Sequence, residues 1–316
     1  MKAPVIAIVV PCYNEEQVLP VSIPSLLSAL DSMVTDNLIA PESYLMCCDD
    51  GSKDSTWNQI NRYHQMDSRV KGLRFSNNRG QQFALLAGLL NVVDHCDAAI
   101  TIDADLQDDV GAMHRMVEKF RIGTEIVYGV RHGRESDSWF KRNTARGFYS
   151  LQRNLGLETV YDHADFRLMS RNAIKLLSQY GEQNLFLRGI VPLLGLTSDT
   201  VEYDRKERCA GSSKYSIRRM LGFSIDGITS FSSRPIRMIL TVGVLLLLLD
   251  IAMTIYVFIS YMGNNVIPGW TSLMLSVWFL GSLILISLGI VGEYIGKIFV
   301  EVKNRPRYII KEYLID

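Results

Sequence analysis

The 316-residue sequence has no net charge, since 33 Lys and Arg offset 33 Asp and Glu. A general nucleic-acid binder carries a basic excess, so this balance argues against one. It also lacks paired cysteines. Cys12, Cys47, Cys48, Cys96 and Cys209 are odd in number and show neither C-x-x-C nor zinc spacing. No disulfide framework or zinc site is expected, and a reducing compartment fits. No G-x-G-x-x-G and no G-x-x-x-x-G-K-[ST] follows an apolar run, which counts against a dinucleotide dehydrogenase or a P-loop NTPase. The first ten residues offer only the apolar run 5–10, with no basic region and no small-residue cleavage site, so no signal peptide is expected. Charge is also unevenly spread: from 236 to 292 only Arg237 and Asp250 are charged. A chain that is 48% hydrophobic with mean hydropathy +0.11 therefore keeps its charges and its apolar runs apart.

Residues 236–262 form a run of 27, mostly Leu, Ile, Val and Met. As a helix it reaches about 40 Å, more than the roughly 30 Å hydrocarbon core of a bilayer. Residues 273–292 hold no charge and suit a second span, with an uncharged loop at 263–272 that places Trp270 where an interfacial aromatic sits. The loop has no Lys or Arg, whereas 205–237 holds eight basic residues against two acidic, and 297–311 five against one. Both ends are therefore expected on the cytoplasmic side, with the basic stretches against anionic membrane lipids. Residues 211–235 read as juxtamembrane amphipathic helix and 293–316 as a cytoplasmic tail. Asp250 in mid-span, and Gly292 and Gly296 as a small-xxx-small pair, predict helix packing between the spans or between protomers, hence a homo-oligomer.

Residues 1–210 read as alternating strands and helices. Strands are expected at 5–10, 44–48, 73–75 and 98–102, and helices at about 15–33, 55–66 and 81–93. Apolar strands separated by helices predict an α/β domain with a mainly parallel sheet covered on both faces. Ligands on such sheets bind beyond the carboxyl ends of the strands. The polar clusters fall at those ends: ProCysTyrAsnGluGlu (11–16), AspAspGlySerLysAspSer (49–55) and AspAlaAspLeuGlnAspAsp (103–109). Each alone is ordinary turn or cap chemistry. Together they suggest a hard cation, Mg2+ or Mn2+, joining carboxylates to phosphates. Asp103 and Asp105, two apart in an extended segment, point the same way, and Gln107 continues that side.

These motifs, with AsnArgGlyGlnGlnPheAlaLeuLeuAlaGly (78–88), GlyValArg (129–131), SerTrpPheLysArg (138–142), AlaAspPheArgLeuMetSerArg (164–171) and GlySerSerLysTyrSer (211–216), run in one order along the chain. In that order they resemble the family-2 glycosyltransferases of GT-A, Rossmann-like fold. Within them they resemble the two-span polyprenyl-phosphate enzymes that include bactoprenol glucosyltransferases and dolichol-phosphate mannose synthases. The resemblance implies a UDP-sugar donor and a polyprenyl (undecaprenyl) phosphate acceptor at the cytoplasmic membrane face. Glucose is the leading sugar and N-acetylglucosamine an alternative. Pro11, Tyr13, Glu15 and Asp50 would line the nucleoside, and Arg79 and Gln81 would sit near the donor. Asp103, Asp105 and Gln107 would hold the metal and diphosphate, with Asp105 also counted among the catalytic residues. Arg131, Arg142, Arg205 and Lys214 would contact the acceptor phosphate. Asp165 corresponds to the family's proposed base, with orientation of a substrate as its other reading and His163 as an alternative base. The acidic Asp108–Asp109 pair departs from relatives that carry Pro there, which bears on the start of the following helix. Two rivals are a processive polysaccharide synthase, whose Gln-x-x-Arg-Trp motif is absent, and a membrane-tethered receiver-like binding module.

Overall fold

The computed structural model describes residues 2–131, 163–183, 185–204 and 269–314, with scattered positions between 241 and 255. The strands are β1 (Ile6–Cys12), β2 (Tyr44–Asp49), β3 (Val70–Phe75), β4 (Ala98–Thr101), β5 (Ile126–Arg131), β6 (His163–Ser170), β7 (Ser198–Tyr203) and β8 (Ile310–Leu314). The helices are α1 (Leu19–Thr35), α2 (Thr56–Met66), α3 (Gln81–Val92), α4 (Ala112–Arg121), α5 (Arg171–Leu177), α6 (Leu187–Leu193) and α7 (Trp270–Val302). One sheet runs in the order β7-β5-β6-β4-β1-β2-β3-β8.

The expected α/β domain is present, and its sheet is mixed. β1 pairs in parallel with β2 and β4, β2 with β3, and β5 with β7. β6 lies antiparallel between β4 and β5, and β8 antiparallel on β3. β1 (IAIVVPC) and β2 (YLMCCD) are buried at every position because helices cover both faces. Helix α3 comes close enough to the sheet that a Cβ on Gly88 would stand 2.3 Å from Val9 Cγ1 and 2.6 Å from Cys48 Sγ. Only glycine fits there. Chain order reverses at β1, which sends β2 and β3 to one side and β4 to the other. Ligands of such sheets bind beyond the carboxyl ends of the strands at this kind of switch point.

Local differences from the expected elements have physical causes. Helix α1 begins at Leu19 rather than near residue 15, which places Pro20 in its first turn, where the missing amide costs no hydrogen bond, while Pro24 is accommodated further in. β3 extends back to Val70 through Lys71 and Gly72, which interrupt its apolar run. Gly72 is there because a Cβ would meet Ile60 Cγ2 at 2.9 Å.

The expected second span, 273–292, lies in α7, and the helix continues ten residues past it to Val302. No proline or capping residue stops it before Asn304, which takes a positive φ of 42°, and Pro306. Among the described residues, one stretch is long and apolar enough to cross a membrane, Phe279–Val302, with mean hydropathy 1.9. Its large side chains are exposed, Leu285 at 70% and Leu288 at 62% among them. The expected first span, 236–262, the juxtamembrane segment 211–235 and most of the loop 263–272 lie outside the described residues, apart from scattered helical positions. The segment read as a tail, 293–316, contains the end of α7 and β8, a strand of the eight-stranded sheet.

Candidate active site

Three loops at the carboxyl ends of β1, β2 and β3 are tied into one cradle. The loop after β1 and the loop after β2 exchange hydrogen bonds. Asn14 N donates to Ser52 Oγ (2.9 Å), Lys53 N to Asn14 Oδ1 (3.0 Å), Glu15 N to Thr56 Oγ1 (2.8 Å) and Ser55 N to Glu16 Oε2 (3.0 Å). Asp50, which is buried, receives the backbone amides of Arg79 (2.6 Å) and Gly80 (2.8 Å) on its two carboxylate oxygens. Burial pushes the Asp50 carboxyl above its ordinary value, against the pull of those amides. Gly51, at φ +66°, lets the loop pass Asn77, since a Cβ there would lie 2.7 Å from the Asn77 carbonyl carbon. Of the four expected nucleoside contacts, Pro11 is buried within β1, Asp50 is buried, Glu15 is half-buried and Tyr13 is the most open.

β4 delivers the acids. Asp103 and Asp105 follow it directly, in a loop bent by Leu106 at φ 49°. Gln81, the first residue of α3, donates from Nε2 to Asp103 Oδ1 (2.7 Å), and Gln107 N donates to Asp105 Oδ1 (3.3 Å). Burial and the neighbouring charges of Asp165, Asp108 and Asp105 push Asp103 up to about 7, with Arg188 opposing them. A carboxyl crowded in this way is relieved by a cation. Among the described residues no three His, Cys, Asp or Glu side chains converge as a closed metal cage. Two adjacent carboxylates fit Mg2+ or Mn2+ of the kind that takes its remaining ligands from substrate phosphates and water.

Opposite them stands a group that the sequence reading located only in part. Asp165 and Arg167 alternate on β6, so both side chains lie on one face of the sheet, and Asp165 Oδ1 accepts from Arg167 Nη2 (2.9 Å). Arg188, on α6, spans the same carboxylate, Nε to Oδ1 and Nη2 to Oδ2, both at 3.1 Å. Gln82 Nε2 donates to Asp165 Oδ2 (3.3 Å), while its Oε1 accepts the Leu187 amide (3.0 Å). Burial works to raise the Asp165 pKa, but the Arg188 and Arg167 guanidiniums and the Gln82 amide overcome it and hold the carboxyl below its ordinary value. Arg167 is 1% exposed, whereas the Arg188 side chain is 42% exposed.

A third cluster ties the acid loop to β5 and β7. Asp108, buried, accepts from the Tyr203 hydroxyl and from Arg131 Nη2 (3.4 Å), and Arg131 Nε donates to the Tyr203 oxygen (3.3 Å). Phe166 braces Tyr203 edge-on at 5.3 Å. The departure at 108–109 therefore divides its work: Asp109 sits before α4, its Oδ1 3.4 Å from Gly111 N, while Asp108 holds Arg131.

Among the residues expected around the donor, Asp50 meets Arg79 and Asp103 meets Gln81, Arg79 through its backbone while its side chain lies exposed. Of the expected acceptor contacts, Arg131 lies at the site rim, whereas Arg142, Arg205 and Lys214 fall outside the described residues, and so does the His163 side chain. Gln82, Arg167, Arg188 and Tyr203 were not singled out from the sequence, and Asp108 was noted only for its bearing on the start of the following helix. Alternation on a strand could have paired Arg167 with Asp165, but nothing local marks Arg188, 23 residues further on.

Residues 7–177 match the family described as Glycosyl transferase family 2, and residues 234–298 match the GtrB C-terminal hairpin. The chain is 48% identical over 307 residues to the uncharacterized glycosyltransferase YkoT of Bacillus subtilis, covering 97% of this chain and 91% of that one. It is 38% identical over 311 residues to the SfII prophage-derived bactoprenol glucosyl transferase of Shigella flexneri, covering 97% of each. Among solved structures, the mannosyltransferase PcManGT from Pyrobaculum calidifontis, in complex with GDP-Man and Mn2+, is 14% identical with a TM-score of 0.47. That comparison covers 96% of this chain and 87% of the other.

Proposed function

The chain belongs to glycosyl transferase family 2, and from that premise we propose that it transfers a sugar from a UDP-sugar to a polyprenyl phosphate. The donor is UDP-glucose, the acceptor undecaprenyl phosphate, and the reaction runs at the cytoplasmic face of a membrane. One observation carries the reading: two differently equipped clusters are held side by side, because the consecutive residues Gln81 and Gln82 donate to Asp103 (2.7 Å) and to Asp165 (3.3 Å). The Asp103–Asp105 pair suits a nucleoside diphosphate with its cation. The half-exposed Arg188 guanidinium, held by Asp165, suits an anionic acceptor. Near-full-length similarity to bactoprenol glucosyl transferases supports glucose and the lipid acceptor. The hairpin match at 234–298 supports two spans, 236–262 and 273–292, and the basic stretches beside them support cytoplasmic ends. Arg131, Arg142, Arg205 and Lys214 are the proposed contacts to the acceptor phosphate, and packing of the spans brings protomers together as a homo-oligomer.

In the transfer an oxygen of the lipid phosphate attacks the anomeric carbon. The bond from that carbon to the UDP oxygen breaks, and configuration inverts without a covalent enzyme intermediate. Asp103 and Asp105, with Gln107 beside them, would hold Mg2+ or Mn2+, which when bound would supply charge neutralisation for a diphosphate leaving group. Pro11, Tyr13 and Glu15 line the nucleoside. Asp50 fixes the turn at 79–80, from which Gln81 reaches Asp103 and Gln82 reaches Asp165, so one loop sets both halves of the site. No proton acceptor is needed. A phosphate monoester with a second pKa of about 6 is already mostly dianionic at neutral pH. Asp165, held below the ordinary carboxylate range, is a weaker base than the phosphate it would serve. It holds Arg188 in place and neutralises buried Arg167. The reading is tested by UDP release from UDP-glucose by the full-length protein in micelles. Release that requires both undecaprenyl phosphate and a divalent cation is expected, and equal release with EDTA would contradict it.

A further inference from the structure

Residues 299–316 lie beyond both matched families, which end at 177 and 298. Helix α7 ends at Val302, and from residue 305 the chain belongs to the compact unit that holds the sheet. Its contacts there reach beyond the edge it covers. On one side, β8 pairs with β3, Ser76 N donates to Ile309 O (3.0 Å), and the Tyr308 ring stacks on buried Phe75 at 5.0 Å and 7°. Glu312 takes the Trp57 indole N–H (2.9 Å) and Arg74 (3.1 Å), and Arg74 in turn lies 3.3 Å from buried Asp49. On the other side, Arg307 Nη2 donates to the Tyr180 carbonyl and Gln183 Nε2 donates to the Arg305 carbonyl (2.7 Å). Tyr180 and Gln183 belong to neither β3 nor the sheet edge. They stand in the loop between α5 and α6.

Both contacted stretches lead directly into the site. From Ser76 the chain runs four residues to Gly80, held by Asp50, and then to Gln81 on Asp103 and Gln82 on Asp165. From Gln183 it runs to Leu187, whose amide meets Gln82, and to Arg188 on Asp165. The two stretches therefore meet twice: inside at Gln82, Leu187 and Asp165, and outside across residues 305–309. Covering the β3 edge would need only the strand pairing. Ser178, Gln179 and Gly181 of the α5–α6 loop are exposed and its other described residues only half-buried, and such loops open locally at low free energy unless tied down.

We infer that residues 305–309 form a strap that sets the spacing between the donor half and the acceptor half of the site, with Arg307 as its positioning residue on the α5–α6 loop. Resting on the transfer proposed above, the strap makes the arrangement of Arg188 depend on the segment that directly follows the membrane helix. Deleting 305–316 would expose β3 and could unfold the domain, so point variants of the full-length protein in micelles are the test. Arg307→Ala is expected to speed amide exchange in peptides covering 180–188 about tenfold, the loss of about one hydrogen bond, and to leave β1 and β4 unchanged. UDP–Mn2+ binding is expected to stay as in the wild type while kcat for lipid transfer falls about tenfold. Arg307→Lys, which keeps a donor for the Tyr180 carbonyl, is expected to restore both readouts. Unchanged exchange at 180–188 would overturn the strap, and so would a rise spread evenly over β1 and β4, or faster loop exchange with unchanged kcat. If the wild type itself transfers no sugar to lipid, the function is refuted, and the exchange data still decide the strap.

Discussion

Replacing Asp165 by Asn separates the two roles this carboxylate can play. Asn keeps the shape and loses the charge, leaving Arg167, 1% exposed, without its 2.9 Å counterion. Removing one partner of a buried pair costs about 3–5 kcal/mol, because the other charge stays behind in a low-dielectric site. Arg188 is 42% exposed and water compensates it, so its share is small and the lower end, about 3 kcal/mol, is expected. For a domain of this size that lowers Tm by roughly 6–12 °C. Asp165 titrates below the ordinary carboxylate range in the folded protein, so its contribution is complete above about pH 4 and is lost as pH falls further. The gap between variant and wild type should therefore hold from pH 5 to pH 8 and close only in acid. Thermal unfolding of both full-length proteins in micelles, followed by near-ultraviolet circular dichroism across that range, measures it. A variant with wild-type Tm and a more than thousandfold loss of rate would refute the reasoning and return Asp165 to the role of base.

Asp105→Asn is expected to lower metal-dependent transfer roughly 10³-fold with Tm unchanged, and full activity in that variant would remove the metal assignment. With Asp103 pushed up to about 7, binding of Mn2+ must release a proton below that pH. Calorimetric affinity should weaken as pH falls, approaching about tenfold per pH unit well below 7. In the unliganded protein the same carboxyl contributes stability that is lost as pH rises through about 7, so added Mn2+ should raise Tm more at pH 8 than at pH 6. Gly51→Ala should destabilise more than Gly80→Ala. Both positions have positive φ, a strain of about 1–3 kcal/mol for a side chain, but only at Gly51 would the new Cβ also strike backbone, at Asn77. Urea unfolding of the two variants side by side gives the ranking, and equal losses would show that strain alone matters.

What could be read from the sequence was local. β1, β2 and β4 are unbroken apolar runs, and each stops at a polar cluster that the fold places at the switch point, so sheet and acid site were visible together. The antiparallel insertion of β6 was not visible, because strand direction depends on the path of the intervening chain. Strand β8 was hidden by its composition. IleLysGluTyrLeu alternates as an edge strand does, yet beside a basic stretch it reads as a tail, and its docking rests on Trp57, Arg74 and Phe75, more than 200 residues away. Arg188 had no local signal, and the local departure at Asp108 did not reveal its role, for the same reason: each acquires that role from a partner on another element. Asp165 was located by resemblance, and its character came only from the two arginines around it.

The measurement that bears most directly on the central claim is the identity of the product. Full-length protein in micelles, with UDP-glucose, undecaprenyl phosphate and Mg2+, should yield a lipid whose mass corresponds to one hexose on the polyprenyl phosphate. Its anomeric configuration, read by proton NMR, should be β, inverted from the α-linked donor. A water-soluble glucose polymer, a retained α linkage, or no lipid-linked sugar across a panel of nucleotide sugars would contradict the account.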